Sequence, residues 1–165
     1  IWLPSQFDYW SPTNLKEVEN KGLEANASLS TKIKNIKLKG NANYAYTKST
    51  NLKGKSEFDN SIHKQLLYVP YHKVNSTLSI GYKTFYLMYA YNYTGKRFTT
   101  TDNEWYLPAN FTSDISLAKR FKMHNKSPLH FSFKIKNLLD QEYQSIAWRP
   151  MPGRNYLISL TFKLN

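Results

Sequence analysis

Four histidines and two closely spaced carboxylates are the residues of this chain best suited to catalysis or metal binding. His63, His72, His124 and His130 include no pair at zinc-ligand spacing, and the chain has no cysteine to complete a site. They read as isolated polar residues of a surface or lumen. Only a fold that brought His63 and His72 to one mouth would let them meet a haem or a metal chelate. Asp140 and Glu142 are two residues apart, a spacing that can serve general acid–base work. Beside Arg149 and Arg154 they read instead as solvated carboxylates or as partners of those arginines. There is no glycine-rich phosphate loop and no nucleophile elbow. The expectation is a protein with no catalytic residues, no metal and no cofactor. What remains are binding groups: Trp105, Tyr106, Trp148 and Arg149, which stand in long polar connections and could grip a ligand. The same aromatics would also serve as anchors at a membrane interface.

Composition narrows the scaffold that positions these groups. A length of 165 residues suits one domain. The absence of cysteine excludes a disulfide scaffold and thiolate chemistry. No apolar run approaches the ~20 residues of a membrane helix, and the mean hydropathy is −0.61. A strand that alternates apolar and polar residues has low mean hydropathy even inside a bilayer. Aromatic content is 16%, with thirteen tyrosines, which a soluble all-β core could explain in part and interfacial belts of Tyr and Trp explain at least as well. The sequons at Asn26, Asn75, Asn92 and Asn110 read as chance, three of them lying inside strand patterns.

Seven segments alternate with period two. They are Lys21–Ile33, Ile36–Thr47, His72–Tyr82, Phe85–Tyr93, Phe111–Phe121, Leu129–Asn137 and Arg154–Leu164. In the last, Tyr156, Ile158, Leu160 and Phe162 share one face. No helix is expected, apart from a single turn that Asn14–Asn20 would allow. The connections alternate short and long, with long ones at Lys48–Pro70, Thr94–Asn110 and Leu138–Gly153. Short turns on one side and long loops on the other mark an outer-membrane barrel, and strands of ~9–11 residues suit a tilted crossing. The alternative is a soluble all-β ligand-binding module, whose aligned apolar face would pack into one core.

If the short turns are periplasmic, the charges sort by depth. The short-turn ends hold Lys32, Lys34, Lys37, Lys39, Lys83, Lys119, Arg120, Lys122, Lys126 and Lys163, and no acid. All eleven acids, Asp8 and Glu57 among them, fall toward the other side. Most of the net charge of +12 thus belongs to one rim, where anionic lipid headgroups would meet it. Nucleic acid is not an expected partner, because the aromatics occupy the apolar face while Lys134, Lys136 and Lys163 occupy the other.

Several segments resemble TonB-dependent outer-membrane receptors. Asn137-Leu-Leu-Asp-Gln-Glu-Tyr143 is similar to that family's Asn-Leu-Phe-Asp-x-x-Tyr, with Leu139 in place of Phe. Pro152-Gly-Arg154 then leads into the last strand, as in the family. Upstream, Asn14-Leu15, Val18 and Gly22-Leu-Glu24 resemble the start of a barrel strand, and Val69-Pro70 with His72 a loop-to-strand return. Tyr93-Thr-Gly95-Lys-Arg97 resembles a strand end. Family barrels commonly end on an aromatic residue, whereas Phe162 is followed here by Lys163-Leu164-Asn165. The resemblance implies an all-β, antiparallel, up-and-down transmembrane β-barrel of about 22 strands. Residues 1–165 would supply about seven of them, as its C-terminal part, with the plug and the earlier strands outside this chain. It also implies energy-coupled uptake of a scarce nutrient: siderophore, haem, cobalamin or oligosaccharide. Expected partners are the remainder of the barrel and its plug, TonB acting through that plug, outer-membrane lipid and a surface lipoprotein. The polar strand faces, with Asn26, Ser28, Asn41, Asn43, Asn92, His130 and Ser132, would line the lumen or pack on the plug.

Overall fold

Seven antiparallel strands follow one another in one sheet, each pairing with the next in sequence. They are β1 (Val18–Ile33), β2 (Ile36–Asn51), β3 (His72–Tyr82), β4 (Phe85–Thr94), β5 (Asn110–Met123), β6 (Lys126–Lys136) and β7 (Asn155–Phe162). The computed structural model describes residues 2–4, 10–12, 15, 17–54, 56, 59–123 and 126–162, without the side chains of 2–12, 122–123 and 126–127. Asp8, Asn14, Glu57, His124, Lys163, Leu164 and Asn165 lie outside the described residues, as do the side chains of Lys122 and Lys126.

The register follows from the alternation. Facing residues on neighbouring strands point to the same side of a sheet, so one row can be followed across all seven strands. Thr31 faces Leu38, Leu38 faces Ile80, Ile80 faces Leu87, Leu87 faces Leu117, Leu117 faces Phe133, and Phe133 faces Ile158. Every strand therefore presents its apolar set to one common face. Among the described residues no protein layer covers that face: Leu29 is 55% exposed and Leu160 66%. Among the described residues Leu107 is the one buried hydrophobic side chain. A soluble module would have packed this face into a core. Here it is left for lipid.

The ends of the apolar face are aromatic. Tyr44, Tyr46, His72, Tyr91, Tyr93 and Phe111 lie toward the long-connection end, with Tyr44 stacked on His72 and Tyr91 on Phe111. Tyr82, Phe85 and Phe121 lie toward the short-turn end, where Lys119 Nζ sits 4.6 Å from the Phe85 ring and 4.7 Å from the Phe121 ring. Two aromatic belts around an aliphatic band suit the two interfaces of a bilayer.

Several strand ends differ from the alternation pattern. The β1–β2 ladder continues through Val18↔Asn51, so Val18–Asn20 is strand and no helical turn forms there. Lys48–Asn51 is likewise strand rather than loop. Both faces of this extension are polar, which erases the amphipathic signal that period two relies on. β5 runs to Met123 and β6 begins at Lys126, each reaching past the bound that the alternation gives. Pro128 lies within β6, at a register shift between Lys126 and Leu129, the kind of irregularity that tolerates proline in a sheet.

Gly22 has a steric role. A Cβ there would lie 2.7 Å from the Tyr46 carbonyl oxygen, closer than real contacts allow. Gly22→Val is expected to destabilise the intact receptor by about 1–3 kcal/mol through forced displacement of the β1–β2 pair. Ala27→Val, on the open apolar side of the same strand, should leave the unfolding midpoint in place. Equal midpoints for the two variants would refute the steric reading.

Candidate functional site: the joined long connections

The buried polar residues mark where this chain is most tightly held together. Ser49, Thr50, Asn51, Gln65, Arg97 and Asn137 are all buried and all lie at or beyond the long-connection ends of the strands. Buried polar groups require partners, and for Gln65 and Arg97 some of those partners come from another connection.

Gln65, in the first long connection, joins it to the second. Its backbone N–H donates to Asn103 Oδ1 at 2.8 Å, and Asn103 Nδ2 donates back to the Gln65 carbonyl at 2.9 Å. Its side chain accepts from the Ser49 N–H at 2.9 Å and donates to the carbonyls of Thr47 and Val69. Tyr68 N–H donates to the Phe98 carbonyl at 2.9 Å. Asn103 takes a left-handed backbone with φ 63°, which asparagine tolerates better than most residues.

Arg97 joins the second connection to the third. Its guanidinium donates to the Gln144 carbonyl at 3.0 Å and the Ser145 carbonyl at 3.4 Å. Burial lowers its pKa below the usual arginine value, yet an arginine stays charged at any physiological pH. The Tyr68 hydroxyl accepts from the Ala147 N–H at 3.4 Å, linking the third connection to the first. The three connections thus form one hydrogen-bonded cap. Within the second, the Thr100 hydroxyl and then the Glu104 N–H hold the Asp102 carboxylate, lowering its pKa.

Asn137 anchors the base of the third connection. It is buried, with φ 50°. Its N–H donates to Asp114 Oδ1 at 3.0 Å, while its side-chain amide exchanges two 2.9 Å bonds with the Gln141 backbone. Asp140 accepts from the Arg154 N–H at 2.6 Å, and Arg154 Nε donates to the Leu138 carbonyl at 3.0 Å. The carboxylate therefore meets the Arg154 backbone, where sequence reasoning expected the solvated group or its guanidinium as partner. A Cβ on Gly153 would lie 2.8 Å from Asp140 Oδ1, so glycine keeps the approach open. The Asn-Leu-Leu-Asp and Pro-Gly-Arg segments are two halves of one loop clasp.

The binding candidates sit on this cap in two pairs. Trp105 and Tyr106 are exposed on the second connection, where the Tyr106–Leu107 strand pairs with Arg97–Phe98. Lys96 Nζ lies 4.9 Å from the Phe98 ring and 4.8 Å from the Tyr106 ring. Trp148 is 92% exposed at the tip of a small hairpin, Gln144–Ile146 with Arg149–Pro150, and its N–H donates to Gln144 Oε1. Arg149 is exposed beside it. The Gln144–Ile146 strand lies against Tyr106–Leu107. No hydrogen bond or ring contact joins the two pairs among the described residues. Sequence reasoning missed Gln65, Asn103 and Tyr68, which carry no local pattern. It met Arg97 only as the last residue of a strand-end segment.

The basic residues of the short-turn end divide by face. Lys34 and Lys83 occupy the two-residue turns with φ 53° each, and Lys119 lies on the apolar face. Lys32, Lys37, Lys39 and Arg120 point to the polar face, in register with Ser30, Ser79, His130 and Thr161. Asn26, Ser28, Asn41, Asn43, Asn92 and Ser132 share that face, as does the Lys134–Asp114 ion pair at 3.0 Å. Tyr156, Ile158, Leu160 and Phe162 lie on the apolar face of β7, which pairs with β6 alone. His63 and His72 are not brought together as ligands: His72 Nδ1 bonds the Tyr44 hydroxyl on the apolar face. No group of three or more metal-binding side chains occurs among the described residues.

Comparisons with known proteins agree with this geometry. The family model described as "TonB dependent receptor-like, beta-barrel" matches residues 3–138. A search of curated proteins found no match. Among solved structures, the chain is similar to BauA, the ferric preacinetobactin receptor of Acinetobacter baumannii, with a TM-score of 0.69 at 20% identity. It is also similar to the siderophore receptor PiuA of the same organism (TM-score 0.66, 17% identity) and to the ferric-catecholate import receptor Fiu of E. coli K12 (0.62, 16%). It is covered over 98%, 98% and 96% of its length, but spans only 25%, 24% and 22% of those chains. At these identities the likeness is one of fold. The family match covers most of the chain, and the seven-strand sheet with its lipid-ready face fits that family's outer-membrane barrel: the chain belongs to the TonB-dependent receptors.

Proposed function

We propose that this chain is the C-terminal barrel segment of a receptor that takes up a ferric siderophore across the outer membrane, driven by TonB through a plug outside residues 1–165. The observation that carries the reading is the hydrogen-bonded cap. Three long connections are locked together by Gln65, Arg97 and Tyr68 and still hold Trp105 and Trp148 out to solvent. A rigid mount with exposed aromatics suits capture of a bulky ligand, because little conformational entropy remains to be lost on binding. Of the three similar structures one is named a siderophore receptor and the other two receptors for ferric preacinetobactin and ferric catecholate, which favours that class over haem, cobalamin or oligosaccharide. The remaining strands of the barrel would pair with the open edges of β1 and β7, since unpaired edges do not persist in lipid. Lys34, Lys83 and Lys119 would meet anionic headgroups at the rim.

The test is uptake of iron-loaded siderophores by cells that express the intact receptor, with and without TonB. Uptake that persists without TonB overturns the reading. Trp148→Ala is expected to weaken ligand binding about thirtyfold, the ~2 kcal/mol of an aromatic hot spot. Unchanged affinity would make Trp148 an interfacial anchor instead.

A further inference from the structure

Lys119 is the one charged residue in an otherwise apolar row of the lipid face. Its row companions across the sheet are Ile33, Ile36, Tyr82, Phe85, Phe131 and Leu160. Lys119 is half-buried, with its ammonium between two belt rings, 4.6 Å from Phe85 and 4.7 Å from Phe121. Phe121 lies two residues nearer the short-turn end, so the side chain leans toward the membrane edge, as a snorkelling lysine does. Lys83 joins it on the same side. It occupies the β3–β4 turn, and its ammonium sits 5.3 Å from the Tyr82 ring. Tyr82 pairs directly with Phe85, and the Arg120 N–H donates to the Thr84 carbonyl at 2.9 Å, which fixes this turn beside Lys119. Two cations thus rest on neighbouring rings of one aromatic belt.

No protein anion answers them. Neither lysine forms an ion pair among the described residues. The one acid that the described strands place on this face is Glu19, which lies at the far end of β1 and is held by Lys21 at 2.9 Å. From Glu19 to Ile33, in the Lys119 row, is about 45 Å at strand rise. That is far beyond the screening length of ~8 Å at physiological salt. Glu24 and Asp114 point to the opposite face. The rings attract an ammonium but leave its net charge in place. At this level of a bilayer the anion on offer is the phosphate of a lipid headgroup. Lys34 makes a useful contrast: it stands in the β1–β2 turn with the same φ of 53°, yet touches no ring among the described residues. Lysines already leaning on rings lose less freedom when they take a ligand.

We propose that Lys83 and Lys119 form a binding site for one anionic phospholipid, whose phosphate lies between the two ammoniums while its acyl chains run over Leu87 and Leu117 in the next row. This inference rests on the receptor reading above, which puts the short-turn end at the periplasmic leaflet, but its readout is separate from uptake. A site with two positive charges should prefer phosphatidylglycerol to phosphatidylcholine, whose own cation opposes them. The experiment titrates the intact receptor in detergent with each lipid and reads the first bound molecule by native mass spectrometry, with folding checked by heat-modifiable migration. Lys83→Gln and Lys119→Gln should each weaken phosphatidylglycerol binding about fivefold, and together about thirtyfold, the ordinary strength of bases near an anionic surface. Lys34→Gln should leave it within about twofold, because that lysine has no ring to hold it in place. Should the double variant fail to fold, either single variant reads the same loss. Unchanged affinity in the variants overturns the proposal, as does equal binding of the two lipids by the wild type. An equal loss in Lys34→Gln would mean diffuse rim charge rather than a site. Glycerol phosphate carries the same phosphate without acyl chains and should not compete at equal concentration; competition would make the ligand a soluble anion and overturn the lipid assignment. Absent TonB-dependent uptake in the wild type would remove the functional reading and leave the lipid measurement standing.

Discussion

Leu78→Arg is expected to destabilise the intact receptor in a bilayer by about 2–4 kcal/mol, the cost of a cation on the lipid face near the midplane. Leu78 stands midway along β3, between His72 at the upper aromatic belt and Tyr82 at the lower one. It faces Gly40 on one side and Tyr89 on the other. From that depth an arginine has a long way to reach either interface. The neighbouring residue tests the face assignment. Thr77 points to the polar side, and Thr77→Arg should shift stability by about 0.5 kcal/mol or less. Denaturant unfolding of the two variants in lipid vesicles gives the comparison. Equal losses would mean that the apolar face is covered by protein, and the lipid-facing assignment would fall.

Loss of the Asn137 side chain should free the third connection while the barrel stays folded. Asn137→Ala removes the two bonds to the Gln141 backbone and the one to the Pro152 carbonyl, and leaves part-buried groups without partners. Such groups cost about 1–3 kcal/mol each. A local loss of about 3 kcal/mol corresponds to a roughly hundredfold rise in opening of the Leu138–Gly153 segment. Hydrogen exchange of that segment reads the effect directly, and proteolytic nicking there should rise in parallel. Asn137→Gly separates the two contributions, since it loses the side chain but relieves the left-handed backbone, worth about 1–2 kcal/mol. The glycine variant should therefore open less than the alanine variant. If exchange is unchanged in both, the clasp does not hold the loop. Because Arg97 ties this connection to the second, opening should spread to residues around Phe98 and Tyr106.

Much of the fold was legible because period two is a local property. A side chain's neighbours at i±2 share its face whatever the rest of the chain does, so the alternation of Phe85–Tyr93 or His72–Tyr82 announces both the strand and its apolar side. Lys48–Asn51 shows the limit of that signal: where both faces are polar, a strand carries no apolar alternation to read. The clasp was half legible. Asn137, Asp140, Gly153 and Arg154 stood out as familiar segments, but nothing in their spacing says that Asp140 would hold the Arg154 backbone.

The sequence by itself determined the seven strands, the face each turns to lipid, and the gathering of basic residues at the short-turn end, because alternation and chain order encode all three. Only the tertiary structure decided what joins the loops and what the lysines face. Asn103 and Arg97 bind backbone carbonyls and an amide, which every residue carries, so no residue type at the far end betrays the partner. Lys119 meets Phe85 through strand register, and the lack of a nearby acid is a fact about a whole sheet face. Local chemistry sets what a residue prefers to touch; long-range pairing sets what is there to be touched.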